Sequence, residues 1–183
     1  MIGVRHRNGR VIHGVGLQRA PGKNYLLYSQ TLANSVWSKY YGATVGAKVL
    51  APDGTMTADS ITSSNSSAFL FQGGMEPYWH VGSLFVASVW YRAAVSNATL
   101  YLEVSDLADG NPYNTLKCNV TTTWQRFSLS GTIASGFGAL GIWIGNRFGT
   151  FPTNQAIEMW GAQLVWGTTT LRKYVATKGA VLK

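Results

Sequence analysis

The stretch Ile157-Glu158-Met159-Trp160-Gly161-Ala162-Gln163-Leu164-Val165-Trp166-Gly167 constrains the fold of this chain more than any other. At the period of two of a β-strand, Ile157, Met159, Gly161, Gln163 and Val165 face one way. Glu158, Trp160, Ala162, Leu164 and Trp166 face the other. Both faces carry bulk, so the strand is expected to be covered on both sides and central in its sheet. Gly161 leaves room for a large neighbour, and Gln163 is a polar group that needs a partner. A strand this late in the chain pairs with strands formed much earlier, and so it closes the fold.

The rest of the sequence reads as more of the same. Strands are expected over 24–29, 44–50, 58–62, 68–72, 83–92, 98–105, 115–120, 124–130 and 139–145. In 83–92, Phe85, Ala87, Val89 and Tyr91 share one face. In 98–105, Ala98, Leu100, Leu102 and Val104 point inward, with Thr99, Tyr101, Glu103 and Ser105 outward. Residues 32–41 are ambiguous between a helical turn and a short strand. Ala51-Pro52-Asp53-Gly54 is a turn, because proline presets φ and glycine supplies a positive φ. Residues 106–113 and 147–154 read as loops. About ten short strands, with no amphipathic helix, predict an all-β jelly-roll sandwich.

Composition agrees. Only 12% of the residues are charged, 13% are aromatic, and seven are tryptophan. That is too apolar for a disordered chain. Its 183 residues suffice for one domain with a core of its own. The single cysteine, Cys118, excludes an internal disulfide and reads as a small buried hydrophobe. No apolar run is long enough for a membrane helix, and no apolar stretch follows the basic N-terminus as a secretory signal would require.

Charge is segregated along the chain. Residues 1–52 contain Arg5, Arg7, Arg10, Arg19, Lys23, Lys39 and Lys48 and no carboxylate, and residues 172–183 contain Arg172, Lys173, Lys178 and Lys183 and none. The segment between holds all seven carboxylates, and the net charge is +8. The body is slightly acidic and the ends are basic, the reverse of a nucleic-acid-binding body. Residues 1–23 are rich in glycine and arginine and poor in large apolar side chains. They are expected to form an extended arm that orders on a partner, with Arg5, Arg7, Arg10, Arg19 and Lys23 as anchoring residues. The sandwich is then expected over 24–177 and a short basic tail over 178–183.

Sites of chemistry are sparse. Gly136 to Gly141 match G-x-G-x-x-G, but a strand follows where a dinucleotide site needs a helix. Asp106, Asp109 and Asn111 share a loop without the spacing of a calcium hand. Glu76 and His80 are separated by Pro77 and two aromatics, which prevents helical alignment, and His6 and His13 lie in the arm. There is no nucleophile elbow. Glu103 and Glu158 are carboxylates on strands with nothing to pair them as a hydrolase would. No catalytic residue, metal or cofactor is expected. Trp37, Tyr40, Tyr41, Tyr78, Trp79 and Tyr113 fall in turns or loops beside amides. They are candidates to stack on the apolar faces of sugar rings, or alternatively to serve as core or subunit contacts.

Five motifs recur in order: Asn24-Tyr25-Leu26-Leu27 with Ser29 and Trp37; Ala51-Pro52-Asp53-Gly54-Thr55 with Thr57-Ala58-Asp59; Trp90-Tyr91-Arg92-Ala93; Thr123-Trp124-Gln125-Arg126-Phe127-Ser128; and Trp160-Gly161-Ala162-Gln163-Leu164 with Tyr174 and Thr177. Together they resemble the carbohydrate-binding-module-like jelly-roll domains of bacteriophage virion proteins, found in tail fibres, tail spikes and capsid-attached proteins. The resemblance covers 24–177. It implies a non-enzymatic β-sandwich on the virion, assembled in the host cytoplasm, that sometimes binds glycan. Val165-Trp166 departs from the acidic residue that often follows Gln-Leu in the family, and with few carboxylates a structural calcium site is in doubt.

Three functions follow as expectations. The first is a virion structural protein anchored to a capsid or tail partner by its basic arm, in several copies, with a trimer suiting a fibre or knob. The second is an adhesin recognising host-surface glycan. The third is a polysaccharide-degrading enzyme.

Overall fold

The computed structural model describes residues 23–74, 81–106, 112–134 and 140–179. They form ten strands: β1 Ser38–Tyr40, β2 Thr44–Val49, β3 Ala58–Thr62, β4 Phe69–Gly73, β5 Leu84–Ala93, β6 Ala98–Asp106, β7 Pro112–Val120, β8 Gln125–Thr132, β9 Leu140–Gly145 and β10 Ile157–Trp166. Two five-stranded sheets result, ordered β1-β4-β9-β6-β7 and β2-β3-β10-β5-β8, and every pairing is antiparallel. This is the expected jelly-roll sandwich.

The core lies between the sheets and follows the period-two pattern. Leu70, Leu100, Leu102, Val104, Ile142 and Ile144 enter it from the first sheet, and Phe85, Ala87, Val89 and Tyr91 from the second. β10 is central in the second sheet, and only Trp166 of its ten residues is not buried.

The face assignment within β10 needs correction. The ladder with β5 shifts register between Trp160 and Gln163. At this bulge Gly161 takes a φ of 62°, a left-handed conformation that glycine adopts without a steric penalty. The extra residue reverses the alternation. Ile157 and Met159 share the core with Ala162 and Leu164, while Trp160 packs in a second apolar cluster with Ala51 and Ala58, joined by Trp90, Trp124 and Tyr174. A strict alternation through Gly161 had placed Ala162 and Leu164 with Trp160. The room left by Gly161 is filled as expected: a Cβ there would meet Trp90 Cε3 at 3.1 Å.

Residues 24–29 do not form a strand. Tyr28 has a φ of 48°, which breaks the extended run. The segment instead fastens itself beside the bulge. The Asn24 side chain donates to Ala162 O and Val175 O, both at 3.0 Å, and accepts from Leu164 N at 3.0 Å and Leu26 N at 3.2 Å. Tyr25 N donates to Leu164 O at 2.9 Å. The C-terminal segment crosses the same place: Ser29 N donates to Thr177 Oγ1 at 3.3 Å, Thr177 N to Ser29 Oγ at 2.9 Å, and Tyr28 N to Lys178 O at 3.4 Å. Both ends of the described chain therefore lie on the second sheet. Residues 28–37 make successive turns that lead into β1.

Candidate functional site: an aromatic depression on the first sheet

The outward face of the first sheet carries aromatic side chains in register. One row crosses the sheet as Tyr40, Phe69, Gly145, Tyr101 and Lys117, and the next as Ser38, Phe71, Trp143, Glu103 and Thr115. Gly145 has no side chain, so a gap opens between Phe69 and Tyr101. The gap is a shallow open depression lined by Phe69, Tyr101, Glu103, Trp143, Arg147 and Phe148, among others. Gly145 is also required by the backbone. Its φ is 126°, and a Cβ there would lie 2.8 Å from Phe69 Cα.

The aromatic rings brace one another. Tyr40 stacks on Phe69 with centroids 4.8 Å apart, Phe71 tilts against Trp143 at 4.6 Å, and Tyr101 against Phe148 at 4.7 Å. Phe148 remains 50% exposed and Tyr40 43%, so apolar ring surface is open to solvent on both sides of the gap.

At the base of the depression Arg147 forms a fork with Glu103: Nη2 to Oε1 at 2.7 Å and Nε to Oε2 at 3.2 Å. Ser105 Oγ also donates to Oε1, and Thr115 Oγ1 donates to Oε2 at 3.2 Å. Four donors fill the acceptor sites of the buried carboxylate. The guanidinium lies 5.6 Å from the Trp143 ring centroid and 5.4 Å from that of Phe148. A planar donor group is thus held among aromatic rings, with N–H groups beyond the two that bond Glu103.

A tyrosine from the opposite sheet supports the floor. Tyr91 is fully buried; its hydroxyl donates to Tyr101 O at 3.1 Å and accepts from Gly145 N–H at 3.2 Å. Burial raises its phenol well above the ordinary value.

The residues expected to stack on sugars fare differently. Tyr40 and Tyr41 are exposed and adjoin the depression through Phe69, with Tyr41 and Phe69 centroids 5.8 Å apart. Trp37 is a correction: it is wholly buried in the core, and its indole N–H donates to Tyr28 O at 3.2 Å. Its apolar bulk gains more from core burial than from a surface position. Tyr113 is half-buried against the core and donates to Asp106 Oδ2 at 2.9 Å, so it does not join the depression. Tyr78 and Trp79 lie outside the described residues, as do Arg5, Arg7, Arg10 and Arg19. Lys23 is half-buried. Glu76, the three histidines, and Asp109 with Asn111 also lie outside them; Gly141 of the glycine motif sits on β9.

Sequence reasoning missed Phe69, Phe71, Trp143, Arg147 and Phe148. The usable signal was the outward phase of Tyr101 and Glu103, extended to the outward positions of 68–72 and 139–145. Glu103 and Glu158 project from the outer faces of different sheets, with the core between them. Each has an arginine partner, Arg147 and Arg92. They cannot flank one glycosidic bond. Among the described residues no group of histidine, cysteine and carboxylate side chains could hold a metal ion.

No family model matches the sequence, and no curated protein is similar to it. Solved structures are similar in fold. A xylan-binding CBM22-1 domain from Paenibacillus barcinonensis Xyn10C shares it with a TM-score of 0.61 at 12% identity, over 83% of this chain and 99% of that one. The enzymatically active domain of bacteriophage CBA120 tailspike protein 4 does so with a TM-score of 0.54 at 14% identity, over 80% of this chain but 22% of that one. The stig cyclase Fisc from Fischerella sp. TAU does so with a TM-score of 0.54 at 9% identity, over 74% and 87%. Several other matches are carbohydrate-binding modules, and one carries such a module beside a GH10 xylanase module. Since one fold serves such different proteins, the likeness establishes a jelly-roll sandwich of the kind found in carbohydrate-binding modules, and function must be argued from the site.

Proposed function

We propose that the protein is a non-enzymatic carbohydrate-binding domain whose site is the depression over Gly145. One observation carries this reading: exposed aromatic rings border a glycine-floored gap that also contains a fixed arginine donor. Sugar rings offer apolar C–H faces to such rings and hydroxyls to such a donor. Glu103 and Arg147 offset each other's charge, which favours a neutral sugar at this position. The saturated carboxylate is a positioning group and not a proton shuttle, which speaks against hydrolysis. Affinity electrophoresis in neutral polysaccharides, comparing the protein with Trp143→Ala and Phe148→Ala, tests the reading. Retardation lost in both variants, with folding intact, is expected. Retardation unchanged in both would overturn it.

A second reading concerns where the domain is displayed. The basic segment 1–23 and the likeness to one domain of a phage tailspike support attachment to a virion, with Arg5, Arg7, Arg10, Arg19 and Lys23 anchoring it to a capsid or tail protein. Removing residues 1–22 should then abolish incorporation into particles without altering polysaccharide binding. Normal incorporation would rule that role out.

A further inference from the structure

The outer face of the second sheet, opposite the depression, has a cation that pairs with no carboxylate among the described residues. Arg126 on β8 donates through Nη2 to Ser88 Oγ at 3.0 Å and to Gln163 Oε1 at 2.9 Å, and its guanidinium lies 4.2 Å from the Trp90 ring centroid. Its Nε–H is buried and has no acceptor among the described residues. The carboxylates nearby are engaged: Glu158 pairs with Arg92, and Asp53 accepts from the amide and hydroxyl of Thr55.

The C-terminal segment brings further cations to the same place. Gln163 Nε2 donates to Lys173 O at 3.4 Å, and Tyr174 packs on Trp90 with centroids 5.6 Å apart. Arg172, Lys173 and Lys178 are exposed along this segment. Leu171, just before Arg172, and Val175, between Lys173 and Lys178, are each 41% exposed. A polyphosphate would use the cations but leave these apolar side chains without a dry partner. A protein surface uses both.

We propose that this face is a docking surface for an acidic segment of another protein, in which one carboxylate meets Arg126 and neighbouring apolar side chains cover Leu171 and Val175. A carboxylate is the acceptor that a recessed, planar guanidinium fits best. The surface stands apart from the glycan reading and from the segment before Lys23. It lies on the face opposite the depression, so a domain docked through it keeps the aromatic gap facing away from its support.

Fluorescence anisotropy of the full chain with a labelled peptide of alternating Glu and Leu, at physiological salt, tests the proposal. The controls are the same peptide with Gln for Glu and a DNA duplex of matched charge. The Glu peptide should bind, and the Gln peptide should not. Arg126→Gln should weaken binding by about thirtyfold or more, as loss of one partner of a charged hydrogen-bonded pair does. The exposed double variant Arg172→Gln/Lys173→Gln, which spares the fold, should weaken it as well. Polysaccharide retardation should be unchanged in the double variant, which separates this surface from the sugar site. Equal binding of the two peptides, unaltered binding by the double variant, or tighter binding of DNA that the same variants weaken would each overturn the proposal.

Discussion

The hydroxyl of Tyr91 reaches across the core from the second sheet and accepts the Gly145 N–H of the first at 3.2 Å. It also donates to Tyr101 O at 3.1 Å. One phenol therefore joins the two sheets beneath the aromatic gap and holds the backbone of its floor and of one wall. Strand alternation explains why it can: Tyr91 is inward on β5, while Gly145 and Tyr101 are neighbours across β9 and β6.

Tyr91→Phe keeps the ring and removes the bond. It leaves a buried N–H and C=O to find other partners, which costs about 1–3 kcal/mol. Urea unfolding should show this loss, and polysaccharide affinity should fall as well because the floor loosens. A variant as stable as the parent would show that the bond is dispensable.

Glu103→Gln tests the positioning of Arg147. Removing one charge from a buried pair costs up to about 3–5 kcal/mol, and partial exposure of Arg147 places this case toward the lower end. Polysaccharide binding should weaken in step with Arg147→Ala. If Glu103→Gln bound normally while Arg147→Ala did not, the carboxylate would have no positioning role.

Asn24→Ala addresses the clasp at the bulge. Asn24 accepts from Leu164 N–H through its side-chain carbonyl and donates to Ala162 O and Val175 O through its amide. Its loss should cost about 2–3 kcal/mol, as for buried backbone groups left unpaired. Limited proteolysis should then cut near both ends of the sandwich, since residues 24–29 and 174–178 hold each other. Cleavage at one end alone would show that they act separately.

Cys118 gives a pH dependence. Burial raises its thiol from 9.0 to about 12. The folded state therefore holds the proton more tightly than the unfolded chain. The resulting stability is fully present below pH 9 and is lost as pH rises toward 12. At pH 10 the loss is about 1.4 kcal/mol, the worth of one pH unit above the unfolded value. Tyr91 and Tyr174, whose phenols burial also raises, add losses of the same sign at higher pH. Denaturant midpoints at pH 8 and pH 10 measure the effect, and Cys118→Ala should flatten it. Labelling of the native thiol at pH 8 as fast as that of the unfolded chain would contradict the assignment.

Alternation along single strands was legible without coordinates. It put Phe85, Ala87, Val89 and Tyr91 on one face, turned Tyr101 and Glu103 outward, and identified 157–166 as a buried central strand that completes a jelly roll. The distribution of charged residues also showed that the two ends are basic. These properties are local, because a period of two determines which side chains share a face whatever the strand pairs with. Tertiary structure decided the rest. Phe69, Tyr101 and Trp143 are far apart in sequence and meet only because β4, β9 and β6 are neighbours. Which strands adjoin depends on the crossovers of the whole chain. Trp37 went to the core because the turns after Tyr28 carry it there. The 157–166 strand kept its central place, but its two faces exchange at Gly161. A single glycine of positive φ adds one residue to the ladder, and alternation cannot continue through it.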